Sequence, residues 1–416
     1  MDKAVTEEAA KPRLVFSGYE KFVIAVLAFL QFTIILDFMI ISPLGAMMMP
    51  TLHITPQQFG LAVSSYAFSA AASGLAAAGF ADRFDRKRLL LFFYAGFILG
   101  TLLCALATTY PLLLMARIVT GLFGGVIGSV VMAITTDLFP LEVRGRVMGF
   151  LGSAFAGAQV LGLPAGLFFA NHWDWHAPFW AIIAVAAPAG LVIAFVMKPV
   201  AAHLKLKQER SPLAHLIHTL AEPRYRLAFI LTMLLPTGGY MLMPFGTAYI
   251  VNNIGLTFAV LPTIYLITGC CTVFMGPLVG KASDSFGKFN IFCFGSLLTI
   301  VMVAVWTNLP PAGLATVIVV NVLMFIGIFS RMIPSQALLT AIPEVTKRGA
   351  FNAVSASLQQ LAGGFSSALA GAVIIARPDG RLGHFNWLGY IVMSVSLVSV
   401  MLMYFVHKQV PEPPPR

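Results

Sequence analysis

Long uncharged apolar stretches, separated by short polar turns, recur from one end of this chain to the other. A helix needs about 20 apolar residues to cross a hydrocarbon layer ~30 Å thick. Backbone placed in lipid must also satisfy its own hydrogen bonds, which leaves helices and closed barrels as the spanning structures. Twelve runs of helical length are read, near 22–48, 57–80, 88–108, 110–135, 147–171, 177–198, 227–252, 257–280, 289–307, 314–338, 350–376 and 385–406. The fold class expected is an all-α integral membrane protein with twelve transmembrane helices. Only 10% of the residues are charged, against about 25% in a soluble domain, which excludes a water-soluble globular fold.

The net charge of +10 comes from 26 Lys+Arg against 16 Asp+Glu. Twelve spans put both termini on the same side of the membrane. Of the 26 basic residues, Arg117 and Arg331 fall inside spans, and Arg377 and Arg381 lie on one side. The other 22, among them Lys21, Arg83, Arg86, Lys87, Arg144, Lys198, Lys288 and Arg348, all lie opposite. The positive-inside rule makes that opposite side cytoplasmic, so the charge reports topology and implies no nucleic-acid partner. Cys104, Cys270, Cys271 and Cys293 all sit in apolar runs and read as small core residues, not as disulfides or metal ligands. Met1–Glu20 has no apolar centre and no small-residue cleavage site, so no signal peptide is expected. Gly-x-Ser-x-Gly, P-loop and His-Glu-x-x-His patterns are absent, which argues against an enzyme and against a cofactor or metal.

The chain also repeats itself. Gly79–Arg88 reads GFADRFDRKR and Gly280–Lys288 reads GKASDSFGK, each between apolar runs. Asp82 and Asp284 are 202 residues apart, and Arg144-Gly145 and Arg348-Gly349 are 204 apart. Two offsets close to half of 416 imply a duplicated unit. The organisation expected is a cytoplasmic tail over 1–21, a six-helix bundle over 22–198, a cytoplasmic linker over 199–226, a second bundle over 227–406 and a tail over 407–416. Within the linker, Ser211-Pro212 ahead of Leu213–Leu220 is a helix-start signal. A short amphipathic helix on the membrane surface is expected there, with His215 and His218 as interfacial side chains.

The loop Gly79–Arg88 resembles the loop between helices 2 and 3 of the major facilitator superfamily, whose pattern is Gly-x-x-x-Asp-Arg-x-Gly-Arg-Lys. Asp82, Arg83, Arg86 and Lys87 take their places in it, while Ala78 and Asp85 stand where the two glycines belong. The second copy keeps Gly280, Asp284, Gly287 and Lys288. Arg117-Ile-Val-Thr-Gly121 is similar to the helix 4 pattern of proton-coupled members, and Asp137-Leu-Phe-Pro140 leading to Arg144-Gly145 resembles the loop that follows it. Trp173-Asp-Trp175 with Phe179 resembles the entry to helix 6. Gly157, Gly162, Pro164 and Gly166 resemble the Gly- and Pro-rich helix 5 of drug–proton antiporters, with Leu163 separating a glycine and proline that are adjacent there.

The resemblance implies two pseudo-symmetric six-helix bundles around a central cavity, in a monomer of a bacterial cytoplasmic (inner) membrane. It implies a secondary transporter without cofactor, exporting small amphipathic molecules or drugs in exchange for protons. A nutrient or sugar symporter or facilitator, a lipid or lysolipid transporter, and a sensor that no longer transports are the rivals. The sugar-porter signatures after helices 6 and 12 are missing. The resemblance further implies a cytoplasmic latch of Asp82, Arg83, Arg86, Arg144, Asp284, Lys288 and Arg348. In that latch Asp82 takes hydrogen bonds from the start of helix 11, and Asp284 plays the mirrored part near helix 5.

Three charged residues lie inside the spans, Asp37, Arg117 and Arg331, and each costs at least ~2.5 kcal/mol at the bilayer centre. Asp37 lies roughly 22 Å along an outgoing helix and Arg117 roughly 10 Å from the opposite face on a returning one, at 1.5 Å per residue. In a ~30 Å core the two fall at nearly one level. Asp37 is the one carboxylate placed in the bilayer and the candidate for carrying a proton. Hydrocarbon favours the neutral acid, and a neighbouring guanidinium favours the carboxylate. Arg331 has two readings, a cavity-facing fork for an anionic group or a snorkelling side chain. Gln31, Tyr66, Gln159, Tyr240, Asn321 and Gln359 are polar residues on apolar helices and candidates for the substrate cavity. Taken singly, each is better explained by an interhelical hydrogen bond worth ~0.6 kcal/mol.

Overall fold

The computed structural model describes residues 16–77, 79–205, 218–344 and 347–409. Twelve long helices cross them. The first four are α1 (Gly18–Thr51), α2 (Pro56–Ala77), α3 (Arg86–Ala105) and α4 (Tyr110–Leu138). They are followed by α5 (Glu142–His172), α6 (Ala177–Val196), α7 (Pro223–Ile254) and α8 (Phe258–Phe286), then by α9 (Lys288–Thr307), α10 (Leu314–Ala341), α11 (Arg348–Val373) and α12 (Phe385–Gln409). Eleven are long and apolar enough to cross a membrane by length and composition. The other, α11, is 26 residues long but carries Asn352, Ser355, Ser357, Gln359, Gln360, Ser366 and Ser367. It packs against α2 and α7, so much of its surface meets protein. The surface helix read over Leu213–Leu220 lies, for all but its last residues, outside the described residues.

Helix starts follow local chemistry. Ser17 and Glu20 cap α1 reciprocally, the Ser17 amide donating to Glu20 Oε2 (2.7 Å) and the Glu20 amide to Ser17 Oγ (3.2 Å). The helix therefore begins at Gly18, inside the stretch read as tail, because Glu20 is a capping residue. Thr55 and Gln58 cap α2 in the same way, at 2.9 and 3.2 Å. Pro164 has no amide to donate and crowds the carbonyl one turn back, and α5 widens into a π-turn over Ala158–Gly162 just before it. A second π-turn, Ile250–Ile254, ends α7. Its Asn253 holds Leu382 of a two-stranded hairpin by both backbone groups, each at 2.9 Å.

Packing has the symmetry of a duplicated unit. The two halves meet through α2 against α11, α5 against α8 and α1 against α7. Advancing each helix number by six exchanges the first two pairs and returns the third to itself, as a two-fold along the membrane normal requires. Small residues set the close approaches. At Gly60 on α2, a methyl would stand 2.7 Å from Ser367 O and 3.0 Å from Gly371 Cα on α11. Phe59 and Phe245 meet edge to face nearby, ring centroids 5.8 Å apart. These contacts bind the halves together at the end remote from the two basic loops. Inside the first half, a methyl at Gly121 of α4 would overlap the Ser69 hydroxyl and the Tyr66 carbonyl of α2. Gly121→Ala is expected to cost about 1–3 kcal/mol by overpacking, read as a lower apparent Tm in detergent. An unchanged Tm would show that α2 and α4 have slack at this crossing.

Candidate functional site

The first half holds one ion pair away from water. Asp37 of α1 and Arg117 of α4 are both fully buried, with Arg117 Nη1 3.0 Å from Asp37 Oδ2. Among the described residues no other ion pair is dry on both sides. α3 supplies a third group: Thr101 Oγ1 lies 3.1 Å from Asp37 Oδ1 and 3.0 Å from the Phe97 carbonyl of its own helix. A hydroxyl has one proton, so it donates to the carboxylate or back to its helix, but not to both. α2 supplies the fourth wall, the Tyr66 ring, whose centroid is 4.6 Å from Arg117 Cζ, a cation–π distance. Arg117 Nε and Nη2 are buried without hydrogen-bond partners. The guanidinium is thus held by Asp37, through its carboxylate and at 3.5 Å its carbonyl, with the Tyr66 face and the Cys104 thiol beside it, and a buried charge with a single counter-charge depends heavily on that partner.

A chain of rings leaves this pair toward the second half. Phe38 follows Asp37 on α1, and its centroid is 5.1 Å from Tyr66 and 6.0 Å from Tyr240 of α7. Tyr240 donates its hydroxyl to Gln360 Oε1 of α11 at 2.9 Å. Gln360 is therefore the glutamine engaged here, where sequence reading had pointed to its half-buried neighbour Gln359. Gln360, Gly363 and Ser367 share one face of α11. A methyl at Gly363 would strike the Tyr240 ring, and Ser367 Oγ donates to the Tyr240 carbonyl at 2.9 Å. Gln159 at the π-turn accepts from Thr272 of α8 (3.2 Å), a second link between the halves. Gln31 is half-buried and faces Gly128 of α4. Asn321 donates to Val317 of its own helix (3.2 Å), so its amide reinforces α10. Phe38, Thr101, Thr272 and Gln360 escaped the sequence reading. Only Phe38 carried a signal, as the neighbour of Asp37. Among the described residues no three of His, Cys, Asp and Glu converge as a metal site requires.

The family model of the Major Facilitator Superfamily matches residues 27–367. This chain belongs to the major facilitator superfamily. It is 27% identical over 276 residues to an uncharacterised MFS-type transporter, YceJ, of Bacillus subtilis (strain 168), covering 64% of this chain and 68% of that one. It is 32% identical over 126 residues to Multidrug resistance protein 3 of the same organism, covering 30% of this chain and 25% of that one. Among solved structures, an inward-facing, unoccupied bacterial homologue of the human lysosomal transporter Spinster superposes with a TM-score of 0.76 at 15% identity, over 96% of this chain and 100% of that one. A D-xylose–proton symporter gives 0.73 at 16%, over 95% and 98%. At such identities these structures bear on the fold alone.

In this facilitator-superfamily chain the pair has no copy in the second bundle. At the repeat offset of 204, Asp37 and Arg117 correspond to Met241 and Asn321. The loop residues lie apart from α11. Asp82 takes a 2.6 Å bond from Arg86 of its own loop, and Arg86, only 5% exposed, also reaches Asp137 of α4 at 3.2 Å. The expected contact of Asp82 with the start of α11 is not formed in this conformation, where the Asp82 carboxylate is taken by Arg86. Arg144 bonds the Phe139 and Thr136 carbonyls within the first bundle. Arg83, Asp284 and Arg348 are exposed and Lys288 is half-buried.

Arg331 corrects one of its two readings. Its head group does not snorkel: the side chain is buried inside the second bundle, with Nη1 bonded to Ser396 of α12 (3.0 Å) and Nε without a partner. Among the described residues it has no carboxylate. A buried cation without a counter-charge costs stability, so Arg331→Met, which keeps much of the apolar stem, should leave the apparent Tm unchanged or raise it. A fall of several degrees would show that the charge is compensated.

Proposed function

We propose that this chain is a proton-coupled secondary transporter that exports small amphipathic molecules by alternating access. The observation that carries the reading is the dry Asp37–Arg117 pair. Protonating Asp37 leaves the guanidinium without its counter-charge and returns the Thr101 proton to Phe97. The pair therefore has two arrangements that differ by one proton. Coupling requires that proton and substrate favour different states of one bistable element. On this reading both termini are cytoplasmic, the halves comprise 22–198 and 227–406, and the contacts at the far end make the described conformation inward-facing. The basic loops, with Asp82, Arg86 and Arg144 on one side and Asp284, Lys288 and Arg348 on the other, would meet when the transporter faces out.

Support for export comes from relatives named Multidrug resistance protein 3 and Efflux pump dotC of Dothistroma septosporum, the latter 34% identical over 150 residues. The aromatic wall of Tyr66, Phe38 and Tyr240 suits planar, partly apolar compounds. The test is transport of ethidium into proteoliposomes under an imposed pH gradient. Accumulation that collapses with a protonophore is expected. Gradient-driven uptake of xylose without ethidium transport would overturn the export reading in favour of a sugar symporter.

A further inference from the structure

We infer that Tyr240 is the positioning residue through which the second bundle senses the charge state of the Asp37–Arg117 pair. The inference rests on the proton-coupling reading above and names the path by which one bundle informs the other. Asp37 and Phe38 are consecutive on α1 and so point about 100° apart. Asp37 faces the interior of the first bundle, and Phe38 reaches across to α7, where its ring lies 6.0 Å from that of Tyr240. Tyr66 touches both ends of this step, with Arg117 4.6 Å from its ring centre and Phe38 at 5.1 Å. A change at the ion pair that shifts the guanidinium must move or release the Tyr66 ring, and with it Phe38.

On the receiving side Tyr240 is held at three points by α11: its hydroxyl by Gln360, its carbonyl by Ser367, and its ring by the space that Gly363 leaves. It also stands one turn beyond a break in α7. The helical segment ending at Leu234 is separated by Leu235 and Pro236 from the one starting at Thr237. A proline break removes a ladder hydrogen bond and is a common place for a helix to bend. Tyr240 therefore joins three things that no other described side chain joins: the ring chain from the ion pair, a hinge in α7, and the α11 face that packs on α2. A bistable contact next to a hinge turns a small local shift into a change of bundle orientation.

The test uses hydrogen–deuterium exchange on the full chain in lipid nanodiscs, at one pH. Asp37→Asn serves as the mimic of the protonated acid. In the otherwise wild-type chain, Asp37→Asn should change exchange by about threefold or more both in α1–α4 and in α7 and α11. In a Tyr240→Phe background, which lacks only the hydroxyl, the change in α1–α4 should persist while that in α7 and α11 disappears. Gln360→Leu should act like Tyr240→Phe, and Gln360→Glu, which keeps the acceptor, should retain the response. An undiminished response of α7 and α11 in both the Tyr240→Phe and Gln360→Leu backgrounds would overturn the inference while leaving proton coupling standing. If Asp37→Asn alters neither bundle in the wild-type chain, the coupling reading fails, and the role of Tyr240 fails with it.

Discussion

Asp37→Asn is expected to abolish pH-gradient-driven accumulation of ethidium in proteoliposomes while leaving a folded protein that still binds the dye. A gradient of one pH unit carries about 1.4 kcal/mol per proton, so one-for-one exchange supports up to roughly a tenfold concentration ratio. Asparagine has nearly the shape of aspartate. Its carbonyl still accepts from Thr101 or Arg117, but it neither takes up nor releases a proton. The variant is therefore fixed in the charge state of the protonated acid, and the accumulation ratio should fall to about one. Binding measured by fluorescence should survive, because the aromatic side chains Phe38, Tyr66 and Tyr240 are all retained even where the rings shift. Full gradient dependence in this variant would exclude Asp37 as the coupling group.

Arg117→Ala is expected to be the most destabilising single substitution considered. It leaves the Asp37 carboxylate buried and unpaired, and breaking a buried pair from one side costs about 3–5 kcal/mol. It also strips the Tyr66 ring of its cationic contact. The apparent Tm in detergent should drop by many degrees, and coupled transport should be lost. The double variant Asp37→Asn/Arg117→Ala should recover much of that stability, since neither charge is then stranded. If the single variant melts with the wild type, or the double variant is no more stable than the single, the pair is not what holds α1 against α4.

The sequence by itself determined the number of spans, the duplicated unit and the three charges inside the membrane. Each of these follows from local properties. The length of an apolar run fixes a crossing, the offset from Asp82 to Asp284 is visible without coordinates, and a charged residue amid twenty apolar ones needs no neighbour to be noticed. The common level of Asp37 and Arg117 also followed from rise per residue alone, because both lie within continuous helices, Gly18–Thr51 and Tyr110–Leu138. What the sequence left open depends on rotation about a helix axis and on distance between helices. Only the tertiary structure decided that Gln360, not Gln359, meets Tyr240, because a 100° turn separates neighbours on α11. It also decided that Arg331 turns inward to Ser396, that Arg86 is shared between Asp82 and Asp137, and that Phe38 bridges two bundles. The end at which the halves close was beyond the sequence for the same physical reason. On the alternating-access reading proposed above, one chain must favour two nearly isoenergetic arrangements of the same helices, so no local pattern of residues can single out either.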